Sequence, residues 1–348
     1  MQVLRARNVE HALQLGLGFL QAQGVRRGSR NGPVLVSEEP VTTVYERPRE
    51  RVLFWPERDA NPFFHLYESL WMLNGQRDAA TLARYVKRMA TFSDDGQTLN
   101  AAYGYRCRRH FGRDQLQPIV QALRTNPDDR RCILQIWDQK YDLARPTKDA
   151  ACNTTVHFQR GYEGQLDMTV FCRSNDIIWG AYGANAVHFS YLQEFVASFV
   201  GCPVGRYWQV SDNFHAYEDV FRGLVPGGAL VAGREPWNQW YDAIPRDGVA
   251  PLVSTSWELW HDDLTRFMED ELLGLQREDY ADSFFGETAL PMLRAHHDHR
   301  RGFVRQALEN AGRVADRAWS LAATMWLERR YDRRRAADDG GELNRKEV

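Results

Sequence analysis

Cys152, set in Ala-Cys-Asn, opens the part of this 348-residue chain where reactive side chains gather. Val-Phe-Cys-Arg-Ser-Asn-Asp follows at 170–176, Gly-Ala-Asn at 183–185 and Phe-His-Ala-Tyr at 214–217. A thiolate is a soft carbon nucleophile. A guanidinium beside a hydroxyl, as at Arg173 and Ser174, can clamp an anion. Asp176 and Asn185 add a carboxylate and an amide. The stretch 151–217 therefore reads as a thiol nucleophile with a small anionic ligand held above it. Each feature also has a plainer reading, since a lone Cys before Asn is commonly a small core residue.

Three further groups stand outside this stretch. Glu68 lies within an apolar stripe after Pro62, where burial would raise its pKa and suit it to proton transfer. The plainer reading puts it on the exposed face of that helix. Arg130 and Arg131, in Asp-Asp-Arg-Arg, lead into a run read as a buried strand, Cys132 to Trp137. They can clamp an anion or simply satisfy Asp128 and Asp129. Arg26, Arg27 and Arg30 alternate with Gly28 and Gly32 in what reads as a basic loop, with guanidinium forks and free backbone N–H groups for a phosphate. There is no GxSxG, Walker A or HExxH sequence. The run His296-His297-Asp298-His299 lacks a second ligand cluster at a familiar spacing, so a solvated face is preferred and no metal is expected.

In this order the motifs resemble the thymidylate synthase / deoxycytidylate hydroxymethylase family. The resemblance runs from about Arg30 to Tyr217 and is densest from Arg130 onward. It implies an α+β fold, a twisted mixed sheet flanked by helices, working as a homodimer with shared active sites. It implies that Cys152 adds to C6 of a pyrimidine nucleoside monophosphate, so that C5 attacks the one-carbon unit of the co-substrate 5,10-methylenetetrahydrofolate. Glu68 then matches a glutamate managing protons through water, and Tyr103, in Ala-Tyr-Gly, a tyrosine assisting C5 deprotonation. Arg30, Arg173 and Ser174 match phosphate ligands. Arg130 and Arg131 match a pair reaching the partner subunit's phosphate. His215 and Tyr217 match the residues on the sugar 3′-hydroxyl, Asn185 the amide facing the base, and Asp176 and Trp71 folate contacts.

The departures select a branch. Synthases carry Pro-Cys-His where this chain has Ala-Cys-Asn. A synthase tryptophan is replaced by Met89, and the last residues, Asn-Arg-Lys-Glu-Val, do not resemble the apolar tail that closes a synthase over folate. Both changes favour water over hydride at the exocyclic methylene, hence a hydroxymethyl product from dUMP, dCMP or CMP. The enzyme alternative is a thymidylate synthase. The alternative of another class, a non-catalytic nucleotide-binding relative, would have lost Cys152, Glu68 or Tyr103. An amide at 185 serves uracil, or cytosine when flipped, and nothing in the sequence selects ribose or deoxyribose.

Composition fits a globular enzyme. The formal charge of −2 points to neither nucleic acid nor membrane. No apolar run approaches the roughly 20 residues of a membrane span, and the N-terminus lacks a signal-peptide core. Five cysteines without a CxxC pair point to a reducing, cytoplasmic setting rather than a disulfide framework. Helical spacing predicts helices over 9–22, 62–73, 79–89, 116–123, 185–200, 256–273 and 303–331. A hairpin is predicted over 154–172, turning at 161–164, and a short strand over 207–210. One domain is expected over 1–331, with an irregular insertion at about 225–285 and a disordered tail at 332–348.

Overall fold

The computed structural model describes residues 1–144, 146–225, 239–245 and 248–345, with side chains as far as 333. Its centre is a six-stranded sheet in the order β1(Gln2–Ala6), β4(Val41–Tyr45), β9(Val204–Ser211), β7(Leu166–Cys172), β6(Asn153–Arg160), β5(Ile133–Gln135). β1 runs parallel to β4 and β7 to β9, and the other neighbours are antiparallel. A four-stranded sheet, in the order β2(Val25–Ser29), β3(Gly32–Val36), β10(Phe214–Tyr217), β8(Asn175–Asp176), lies beside it. Mixed sheets with flanking helices make this an α+β fold, as the sequence predicts.

Two helices hold the sheet's functional end. The Pro62–Leu73 helix starts as its sequence requires, with Pro62 in the first turn and the Asn61 side chain capping the Phe64 N–H. All twelve of its residues are buried, so Glu68 sits in the interior rather than on an exposed face. The Asn185–Val200 helix, bounded as predicted, is buried continuously from Asn185 to Ala197. It packs on β7 and β9 on one side and on the Pro62–Leu73 helix on the other. A helix enclosed on several sides has no single polar face and shows little amphipathic signal, and its buried polar residues Asn185, His188, Gln193 and Glu194 lie within the packed interior.

One contiguous apolar core joins residues from Ala6 to Tyr331. Within the segment read as an irregular insertion, Trp257–Leu273 is a 17-residue helix. Its Trp260 is fully buried and donates its indole N–H to the Leu252 carbonyl at 2.8 Å. Residues 226–238, in the first part of that segment, lie outside the described residues.

Five expectations change. The basic loop at 25–33 is a β-hairpin, β2–β3, whose outer strand is exposed and so carries no alternating apolar signal. The helix over 79–89 is two short pieces, Ala79–Ala83 and Met89–Phe92. The buried strand at 132–137 narrows to β5, an edge strand with Leu134 inward and Ile133 and Gln135 outward. The 303–331 helix divides into Val304–Gly312 and Arg317–Arg345. The last helix carries helical backbone across 332–345 where disorder was expected. Once a helix is nucleated each added residue gains one hydrogen bond, and Arg, Ala, Glu and Leu in this segment all propagate helix well. Residues 346–348 lie outside the described residues. No described helix is long and apolar enough to cross a membrane.

Candidate active site

Cys152 immediately precedes β6 and is half-buried. Its approach is braced by Arg173, whose Nε donates to the Ala151 carbonyl at 2.8 Å and Nη2 to the Ala150 carbonyl at 3.1 Å. The Arg173 backbone N–H donates to the Cys152 carbonyl at 2.9 Å. Burial pushes the Cys152 thiol above the ordinary range, and Asp149 adds to that; Arg173 and Arg30 pull the other way. The two arginines favour the thiolate but do not bring the thiol below its ordinary range. Desolvation of a thiolate outweighs cations this far into solvent.

Tyr103 reaches the same pocket because Gly104 lets its turn lie against the Pro62–Leu73 helix. A Cβ at Gly104 would fall 1.8 Å from the Met72 carbonyl oxygen, so no other residue fits that approach. Burial, reinforced by Cys152 and Cys172 and opposed by Asn153, holds the Tyr103 phenol well above its usual range, so it is a proton donor at neutral pH. Its ring lies 5.6 Å from that of Phe189 on the Asn185–Val200 helix.

Asn185 is locked in a chain of buried amides. Asn153 Nδ2 donates to Asn185 Oδ1 at 3.0 Å, Asn185 Nδ2 to Asn175 Oδ1 at 3.1 Å, and Asn175 Nδ2 to the Ser211 hydroxyl at 2.9 Å. Each link fixes the orientation of the next. Asn185 keeps one lone pair and one N–H for a ligand.

The β2–β3 hairpin tip closes over this region. Arg30 lies over the Thr147 and Lys148 carbonyls, each at 3.4 Å, in the loop leading to Cys152. Asn31 Nδ2 donates to the Tyr217 hydroxyl at 3.3 Å. His215 and Tyr217 sit on β10 with rings 5.7 Å apart, nearly perpendicular. Parallel pairing of β10 with β8 sets His215 beside Asp176. One Asp176 oxygen caps the Ile178 and Trp179 N–H groups at 2.9 and 2.6 Å. The other, Oδ2, is buried without a partner. Burial raises this carboxyl, against the pull of the Trp179 amide and of His215. Ser174 is half-buried in the turn between Arg173 and β8.

Three expected residues are not gathered here. Arg131 is largely exposed and closes back on Asp129 at 2.7 Å, and Arg130 is exposed beside it. β5 pairs with β6 so that Ile133 faces His157. At about 3.3 Å per strand residue, Arg131 therefore lies on the order of 20 Å along the sheet from Cys152. Trp71 is 3% exposed and spends its indole N–H on Asp78 at 3.1 Å. It is a core anchor rather than an open cofactor wall.

Two residues that the motif order did not signal are in place. Trp179 is half exposed beside Asp176, with the Arg58 guanidinium 4.2 Å over its ring. His188 brings Nε2 to 2.9 Å from Glu68 Oε2, both side chains buried. It falls one helical turn after Asn185, a spacing that marks it as sharing that face. Of the His296–His299 run, His296 stacks on Tyr85 at 4.3 Å and is pushed down to about 3 by burial. Among the described residues no three His, Cys, Asp or Glu side chains form a metal-sized group.

Similarity to known proteins agrees with this arrangement. The family described as Thymidylate synthase matches residues 56–226. The chain is 50% identical to a deoxyuridylate hydroxymethyltransferase of Pseudomonas phage M6, over 98% of this chain and 99% of that protein. It is 38% identical to a deoxyuridylate hydroxymethyltransferase of Bacillus phage SP01, over 53% of this chain and 51% of that one. A thymidylate synthase of Streptococcus gordonii is 29% identical over 44% of this chain and 56% of its own length. The chain belongs to the thymidylate synthase family, on the branch that holds these hydroxymethyltransferases.

Proposed function

We propose that this chain hydroxymethylates C5 of deoxyuridylate, taking the one-carbon unit from 5,10-methylenetetrahydrofolate. The observation that carries the reading is the near full-length 50% identity to a deoxyuridylate hydroxymethyltransferase. The amide chain supports the choice of base. Held by Asn153 and Asn175, Asn185 offers a lone pair to a ring N3–H and an N–H to a carbonyl O4, the uracil pattern.

Cys152 adds to C6, which makes C5 nucleophilic toward the one-carbon unit. Tyr103, protonated and against Asn153, serves the C5 proton transfer. Arg30, Arg173 and Ser174 serve the phosphate, His215 and Tyr217 the sugar. Asp176 serves the folate, with the exposed face of Trp179 beside it. Loss of the C5 proton and of tetrahydrofolate leaves an exocyclic methylene on the base. Water then adds to that carbon, the electrons pass to C4–O4, and their return expels the Cys152 thiolate and restores C5=C6. Glu68 takes the proton from the water.

The phosphate site is completed across a homodimer. Arg130 and Arg131 are exposed and far from their own Cys152, which fits residues that serve a second subunit.

Mass spectrometry after incubation with dUMP, dCMP, UMP or CMP plus methylenetetrahydrofolate tests the reading. A gain of one hydroxymethyl group on dUMP, with no dihydrofolate absorbance, is expected. A methylated nucleotide with stoichiometric dihydrofolate overturns it in favour of thymidylate synthesis.

A further inference from the structure

The contact between Glu68 and His188 joins two helix faces inside the core. Glu68 Oε2 and His188 Nε2 are 2.9 Å apart. The approach is too poorly aligned for a hydrogen bond, and neither atom has another hydrogen-bond partner. Two buried polar atoms left this way are costly, and they face each other one helical turn from Asn185. His188 and Phe189 share the Asn185 face of their helix, and Phe189 meets Tyr103. The histidine therefore lies on the same helix face as the amide assigned to the base, opposite Glu68. A core histidine normally finds a well-aligned backbone or side-chain partner instead.

From the Pro62–Leu73 helix, Glu68 and His65 face His188. Burial, then Arg58 and His188, hold His65 well below the ordinary range, so it is neutral. Glu68 Oε2, 2.9 Å from His188 Nε2, is placed to share a proton with it.

We propose that His188 is the positioning residue for Glu68 in the hydration step, rotating into hydrogen-bond alignment with Glu68 Oε2 when nucleotide enters. This rests on the hydroxymethylation reading above. In the step itself the water oxygen bonds to the exocyclic carbon and the methylene π electrons move toward C4–O4. The released water proton passes to Glu68, whose carboxyl is then shared with His188 Nε2. Return of the electrons expels thiolate from C6, and no oxidant or reductant is consumed. Fixing the Glu68 carboxylate makes its other oxygen available to a single water position. Without that hold the methylene forms but waits for water.

His188→Leu and His188→Gln test this, each assayed with dUMP, methylenetetrahydrofolate and an added small thiol. Leucine removes the nitrogen; glutamine keeps an N–H near it but does not titrate. The Leu variant should lose about 100-fold in kcat with KM for dUMP within about twofold. It should still release tritium from C5, and should divert product to the thiol-trapped nucleotide. The Gln variant should recover part of kcat and show a kcat–pH profile lacking one ionisation present in the unaltered enzyme. If both variants bind dUMP, keep the full pH profile and show no extra trapping, His188 is merely structural and the inference fails. If the Leu variant does not fold, the Gln profile decides alone. The deoxyuridylate reading itself fails separately, if the unaltered enzyme makes no hydroxymethyl product from dUMP.

Discussion

Arg106 and Asp142 form an ion pair at 3.0 Å with both side chains out of solvent. The same Asp142 oxygen takes the Ala151 N–H at 3.3 Å, one residue before Cys152. Arg106, three residues after Tyr103, also donates to the Asn100 carbonyl at 2.9 Å. The pair ties the segment carrying the phenol to the segment carrying the thiol. Removing the acid leaves a buried, uncompensated guanidinium. Asp142→Ala should cost about 3–5 kcal/mol of stability, read as a lower denaturant midpoint with an unchanged slope. A midpoint within experimental scatter of the parent would show that the pair does not hold these segments.

Glu10 is a second buried carboxyl, accepting the Phe54 N–H and, at 2.9 Å, the Trp55 N–H. Burial raises it to about 7, against the pull of those two amides. The folded chain therefore keeps a proton that the unfolded chain sheds near pH 4.3. Its contribution is fully present below that pH and is lost as pH rises through about 7. Across that window the unaltered protein should lose about 3 kcal/mol through this group. Glu10→Gln should flatten the slope and raise stability at pH 8. Denaturant titrations at pH 5 and 8 measure it, and an unchanged slope in the variant would exclude Glu10 as the source.

Cys152→Ser should abolish turnover while leaving the Kd for dUMP within a few-fold, since the nucleophile and the anion clamp are different groups. Burial of the thiol adds a pH signature in the free enzyme. Mass-mapped alkylation of Cys152 should be slow at pH 7 and accelerate only above the usual thiol range of about 8.5. Arg173→Ala should move that rise further up, because it removes a cation that favours the thiolate. A rise at lower pH in the Arg173 variant would reverse the assigned sign.

Shared sites predict complementation. An Arg131→Ala subunit mixed with a Cys152→Ala subunit should give some hybrid dimers with one intact site, so activity should reappear on mixing. A mixture no more active than its parents would place the phosphate site within one chain.

Several elements were fixed locally. Asn61-Pro62 caps and starts a helix by side-chain and φ constraints alone, and the Asn185–Val200 run is too long and apolar to be anything but an enclosed helix. The turn at 161–164 set the β6–β7 pairing, which carries Cys152 to Arg173. The order of chemical groups from Cys152 to Tyr217 was legible for the same reason: nucleophile, anion clamp and amide are residue types with few alternative chemistries.

Burial and partnership were decided only in three dimensions. The sequence could not say whether Glu68 faced solvent, because its helix has no polar face by which to orient it. It named Trp71 from type and position, but Asp78 seven residues on takes its N–H. It missed His188, which becomes notable only when the Pro62–Leu73 helix brings a carboxylate opposite. Cations near a thiol were visible in the chain, yet the direction of the thiol's pKa was not. That balance depends on how much water the fold removes, and desolvation is a property of the packed pocket rather than of any neighbouring residue.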